Sequence, residues 1–199
     1  MSLSEDPTLS LLQSKFVCGW KNISGESYCG RSGHYSPDMG AAYTTNGAGP
    51  HNVQLFMLSA DGTVLHCLPG FWETHDLAHE IKFAEELNKV WLDGSLSRSE
   101  KDSKFKELNL SHIAGHPQEM VARSQMQNFD KKFEDKRSAV SDCLVPGKEG
   151  RDHFKTTDRI LHERMAARPF VAYDQFDVAK FSDYGRPKYD KKKGIVDAN

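Results

Sequence analysis

The chain has 199 residues, with 26 Lys and Arg against 28 Asp and Glu, a net charge of -2 and a pI near 6.5, a balance that excludes the basic footprint of a nucleic-acid binder. Apolar residues make up 38% and charged residues 27%, which excludes a disordered composition. No apolar run approaches the ~20 residues that span a bilayer, so no transmembrane segment is expected.

Residues 1–12 lack the basic start and apolar middle of a signal peptide. Met-Ser-Leu is also compatible with the start of a trimmed chain, which keeps an extracytoplasmic location open. Pro7 to Ser14 reads as a short helix or helix end anchored by Leu9, Leu11 and Leu12. Phe16 to Ile23 then reads as a strand, with Phe16, Cys18 and Trp20 on one face. From Ser24 to His51, glycines and two prolines punctuate a long loop, with one helical turn expected around Pro37 to Tyr43. Loops of this length are often functional.

Val53 to Leu58 and Thr63 to Leu68 predict two strands joined by the turn Ser59-Ala60-Asp61-Gly62, where Gly62 takes positive φ at little cost. Thr74 is a candidate N-cap for the helix that follows. Its stripe of Leu77, Ile81, Ala84, Leu87 and Trp91 faces a core, and Asp93-Gly94 ends it. The predicted core is Phe16, Val53, Leu55, Met57, Val64, Leu68, Leu77, Ile81, Ala84 and Leu87.

Beyond Gly94 the pattern is helical. Ser99 to Leu110 is charged, Gly115-His116-Pro117 breaks the chain, and Gln118 to Val140 predicts one long helix. Asp158 is placed to cap a helix through Ile160, Leu161 and Met165 that ends before Pro169. An aromatic strap from Phe170 to Phe181 follows, where Asp174 is a candidate cap for one more turn. The basic end, Arg186 to Asn199, carries five cations and one anion between Arg186 and Lys193. The expected domains are 1–94 and a helical extension with a basic tail, 95–199.

Four cysteines stand at 18, 29, 67 and 143, at spacings that match neither a zinc ribbon nor a Cys-x-x-Cys pair. Two disulfides or four free thiols are both compatible with them. Cys29 lies in the Gly-rich loop beside Arg31 and His34, which would favour a thiolate, and Cys18 is its candidate partner in thiol exchange. Nine histidines form the second candidate set. His75 and His79 stand at i and i+4 near a helix start, on one face, as a pair of metal ligands would. Asp76 and Glu80 are expected to point elsewhere, and His112 and His116 are not expected to share a face across Gly115. No His-Glu-x-x-His motif, nucleophile elbow or phosphate-binding loop is present.

The segment with Phe56, Met57, Leu58, Asp61, Gly62, Val64, Leu65, Gly70 and Phe71 resembles the closing hairpin of thioredoxin-like proteins. Leu11 to Ile23 resembles the helix end and strand that precede it, so the resemblance covers about residues 8–93. It implies an α/β fold, a thioredoxin-like mixed sheet flanked by helices, with a helical C-terminal extension. Two family features are absent. The redox pair would lie before Met1, and Pro50 is three residues too early for the family's cis-proline. The resemblance therefore implies a redox-degenerate protein acting through binding or scaffolding, with a protein partner or homodimer as an expectation. The family's central strand is missing with the redox pair, and another segment replaces it, a second chain supplies it, or the sheet is smaller than the family's. The alternatives are a non-standard thiol-disulfide oxidoreductase using Cys29 with Cys18, and a metal-binding protein using histidines. No cofactor is assigned by the sequence.

Overall fold

The computed structural model describes residues 2–30, 44–147 and 152–185. Part of the Gly-rich loop, including the turn expected at Pro37 to Tyr43 with Arg31 and His34, lies outside them, as does the basic end from Arg186. The described chain is mixed α/β, with seven α-helices and two small antiparallel sheets.

Helix α1 (Thr8–Lys15) precedes the hairpin of β1 (Gln54–Leu58) and β2 (Val64–Pro69). The two strands pair antiparallel, with a register shift between Met57 and Leu58. Their turn forms as the sequence predicts: Gly62 sits at φ 84° and donates its N–H to Ser59 O. Every residue of β2 is buried. The helices at Thr74–Leu92 (α2) and Thr157–Ala166 (α6) both pack on this strand, so it needs apolar side chains on both faces.

Helix α2 (Thr74–Leu92) buries Leu77, Ile81, Ala84 and Leu87 as its periodicity predicts. Its N-cap is Glu73 rather than Thr74, because the Glu73 carboxylate accepts from the N–H groups of His75 and Asp76. Thr74 is turned towards the N-terminal segment instead, where its carbonyl accepts from the Thr8 hydroxyl at 2.7 Å. Gly94 follows the Asp93 C-cap without needing positive φ, since Asp93 Oδ1 accepts from the backbone and hydroxyl of Ser95 and turns the chain.

Helix α3 (Arg98–Gly115) opens on a reciprocal capping box of Ser97 and Glu100 and runs longer than the charged stretch suggests. The single helix expected over Gln118 to Val140 is two: α4 (Gln118–Arg123) and α5 (Asn128–Lys136). The break at Ser124 has a tertiary cause. Its carbonyl accepts from the backbone N–H and hydroxyl of Thr157, and its own hydroxyl accepts from Asn46. Strands β3 (Leu144–Val145) and β4 (His153–Phe154) form the second sheet, followed by α6 (Thr157–Ala166) and, after a 3-10 turn at Tyr173–Gln175, α7 (Val178–Phe181).

The expected strand at Phe16 to Ile23 does not form. These residues make no strand ladder, and Val17, Cys18 and Trp20 face solvent. A β-rich stretch without a partner has nowhere to place its backbone hydrogen bonds except water. Of the predicted core, Val53 is 55% exposed, and Phe16 and Leu55 only flank the cluster. The other predicted core residues are buried. The main core also draws on Phe105, Met120, Leu161, Met165, Phe170 and Phe181, so residues on both sides of position 94 share one apolar interior. A smaller cluster of Met126, Cys143, Ile160 and Tyr184 lies beside it. No helix among the described residues is long and apolar enough to cross a membrane.

Candidate metal centre

Helix α2 carries a carboxylate on its buried face. Glu80 stands three residues after Leu77 and four before Ala84, inside the apolar stripe, and is fully buried. A lone buried carboxylate is costly unless cations or donors surround it. Around Glu80 the fold assembles five imidazoles: His66 from β2, His79 from α2, His112 and His116 from α3, and His162 from α6.

Each element delivers its histidine for a local reason. In β2, alternation places His66 on the face of Val64 and Leu68, turned to α2 and α6. On α3, Phe105, Asn109, His112 and His116 recur at steps of four, three and four, a single helical face. Pro117 holds His116 out of helical ψ, at φ -63° and ψ 133°, yet the residue still continues that face as the C-cap. The expectation that His112 and His116 diverge is thus corrected, as is the expectation that Glu80 points away from the histidines. On α6, His162 follows the buried Leu161 and faces α3.

The two carboxylate oxygens divide the imidazoles between them. Oε1 lies 3.3 Å from His116 Nε2 and 3.5 Å from His112 Nε2, without the alignment of hydrogen bonds. Oε2 lies 2.9 Å from His66 Nε2 and 3.1 Å from His162 Nε2. The ligand atoms of His79, Glu80, His112 and His116 all lie within 4.8 Å of one another, as do those of His66, Glu80 and His162. Phe83 closes the cluster with an apolar ring, stacked 3.9 Å from His112 and edge-on to His66 and His162.

Outer partners orient two of the rings. His116 Nδ1 donates to Asp158 Oδ2 at 2.6 Å, so its Nε2 is the atom aimed at Glu80. Asp158 is therefore not the cap of α6. Thr156 occupies that position, and the Asp158 carboxylate supports a histidine instead. His162 Nδ1 lies 3.0 Å from Asn109 Oδ1, and the Asn109 amide is itself oriented by donation from Nδ2 to Phe105 O. Histidine ligands of metal ions are held by outer acceptors in this way.

The charges follow from these contacts. Burial opposes ionisation of Glu80, but His162, His112 and His116 outweigh it and hold the carboxyl well below its usual range. Burial also opposes charge on His116, but Asp158 and then Glu80 prevail and lift it to about 9. His162 goes the other way: burial dominates the pull of Glu80 and lowers it to about 4. Burial likewise lowers His79. At neutral pH His162 is neutral, and its single proton lies between two acceptors, Asn109 Oδ1 and Glu80 Oε2.

The sequence-predicted residues fare unevenly. His79 joins the cluster at its half-exposed edge, whereas His75 faces solvent outside it. Cys18 is exposed and Cys29 half-buried, and all four cysteines are free thiols. Cys29 Sγ donates to Gly30 O. Sequence reasoning missed Glu80, His66, His116 and His162 as a set. The available signal was polarity in buried positions: a carboxylate within an apolar helical stripe and a histidine inside an apolar strand.

Comparison of the chain with protein-family models, with curated proteins and with solved structures gives no match.

Proposed function

We propose that this is a metal-binding protein, holding a transition-metal ion between His79, Glu80, His112 and His116. The observation that carries the reading is one fully buried carboxylate faced by imidazole nitrogens that have no hydrogen-bond partner: His112 Nε2, His116 Nε2 and Glu80 Oε1 are all buried and unsatisfied. Buried polar atoms are normally paired, and each exception calls for an explanation. An ion at ~2.0–2.1 Å from tetrahedral ligands leaves neighbouring ligand atoms about 3.3 Å apart. The 3.3 and 3.5 Å separations at Oε1 match that edge. Three imidazoles and one carboxylate suit zinc, copper, nickel or iron, and not calcium or magnesium, which take oxygen ligands.

The test is elemental analysis of the purified protein, followed by zinc and cobalt titration after chelation. Stoichiometric metal in the wild type, lost in His112→Gln and in Glu80→Gln, supports the reading. A wild type that neither retains nor rebinds any of these ions overturns it.

The antiparallel β1–β2 hairpin leading into α2 supports placing this centre on a thioredoxin-like scaffold, while the extended, unpaired segment at 16–23 argues against a complete sheet of that type. On that scaffold the chemistry would rest on imidazoles and not on a cysteine pair. A binding role towards a protein partner or second copy is a separate proposal. It is tested by sedimentation of the intact chain.

A further inference from the structure

We propose that the centre is dinuclear, with Glu80 as a bridging carboxylate and a second ion held by His66, Glu80 Oε2 and His162. This rests on the reading of the first site and extends it.

The argument starts from His162. Asn109 Oδ1 can only accept, and the Asn109 amide is locked by its own bond to Phe105 O, so the His162 ring stands between two acceptors, Oδ1 at 3.0 Å and Glu80 Oε2 at 3.1 Å. With the ring proton given to Asn109, an ion between Nε2 and Oε2 would bond both atoms. His66 Nε2 reaches the same oxygen at 2.9 Å, and all three side chains are at most 1% exposed.

The arrangement at Oε1 is separate. His112 and His116 approach that oxygen and do not share Oε2 with His66 and His162. One carboxylate thus spreads its two oxygens over two independent sets of imidazoles, which is what a bridge between two ions requires. The 2.9 and 3.1 Å separations at Oε2 correspond to the ligand edges of about 3 Å found in five- or six-coordinate ions bound at ~2.1 Å. Two divalent ions carry four positive charges against the two of Glu80 and Asp158. The pair therefore needs further anionic ligands from solvent, and the half-exposed edge of His79 and His112 is where solvent reaches the cluster.

The experiment is metal loading of the full chain, read by stoichiometry and by spectroscopy. Chelated wild type is titrated with cobalt(II) and, separately, copper(II), and bound metal per chain is measured after desalting. Two equivalents are expected, with the electron paramagnetic resonance of the copper form weakened by coupling between neighbouring ions. His162→Gln and His66→Gln are expected to bind one equivalent and to show an uncoupled copper signal. Saturation of the wild type at one equivalent with an uncoupled signal overturns the dinuclear proposal and leaves the first site standing. Binding of no metal overturns both. The wild-type stoichiometry and coupling decide the matter even where a variant fails to fold.

Discussion

His162 Nε2 lies 3.1 Å from Glu80 Oε2 while the other ring nitrogen of His162 is committed to Asn109. That relationship makes the interior of this protein unusual. A neutral imidazole stands between two acceptors, and its single proton can serve only one of them.

Outer partners should therefore control affinity without touching the ion. Asp158→Ala is expected to weaken binding at the His79–His112–His116 site by about 10–100-fold, because the His116 ring loses its orienting acceptor. Isothermal titration with zinc, alongside circular dichroism to confirm the fold, checks this. An unchanged affinity would show that Asp158 does not support the site.

In the metal-free protein, stability should peak near pH 6.5. His116 is raised from 6.5 to about 9 in the fold, so its contribution is complete below 6.5 and lost as pH rises through 9. His162 is lowered to about 4, so on its account the unfolded chain binds more protons between 4 and 6.5 and stability is lost as pH falls through that window. Urea unfolding in the presence of chelator across pH 4 to 10 measures both limbs. His162→Gln should flatten the acid limb and His116→Gln the alkaline one. A monotonic profile would contradict the assigned charges.

Thiol reactivity should track burial and stay independent of the metal. Iodoacetamide is expected to label Cys18 quickly and Cys29 more slowly in the native protein. Burial pushes the Cys67 thiol well up and the Cys143 thiol to about 12, so both should resist labelling until unfolding. A Cys18→Ser, Cys29→Ser double variant should retain full metal content. Insulin-type disulfide reduction by the wild type, lost in Cys29→Ser, would instead favour the oxidoreductase reading.

Gly70→Ala should be among the most destabilising surface-neutral changes. Gly70 sits at φ 78°, and an added Cβ would lie 2.4 Å from Ala48 O and 2.7 Å from Gly47 O. Backbone atoms cannot swing aside as a side chain would. The left-handed conformation alone costs about 1–3 kcal/mol for a residue with a Cβ, and the contact adds to it. Thermal unfolding compared with Gly62→Ala separates the two effects, since Gly62 has the same sign of φ but open space around it. Equal losses at both positions would show that the close approach contributes nothing.

The sequence by itself determined the local elements whose signals are local. The Asp61-Gly62 turn between apolar runs specifies the β1–β2 hairpin, and the stripe from Leu77 to Leu87 specifies the buried face of α2. It also determined that Pro117 ends α3. Tertiary structure decided everything that needed a partner from a distant part of the chain. Phe16 to Ile23 has strand-like residues but pairs with no strand among the described residues. Ser124 breaks a periodic helix because Thr157 takes its carbonyl. The candidate metal centre is of this second kind. Its side chains come from positions 66, 79, 80, 112, 116 and 162, and only the packing of β2, α2, α3 and α6 around one interior gathers them around Glu80. Spacing along the chain reveals ligands that share a turn or a helix. A site that gathers one or two residues from each of four elements leaves only the trace of charged and imidazole side chains in positions that periodicity marks as buried.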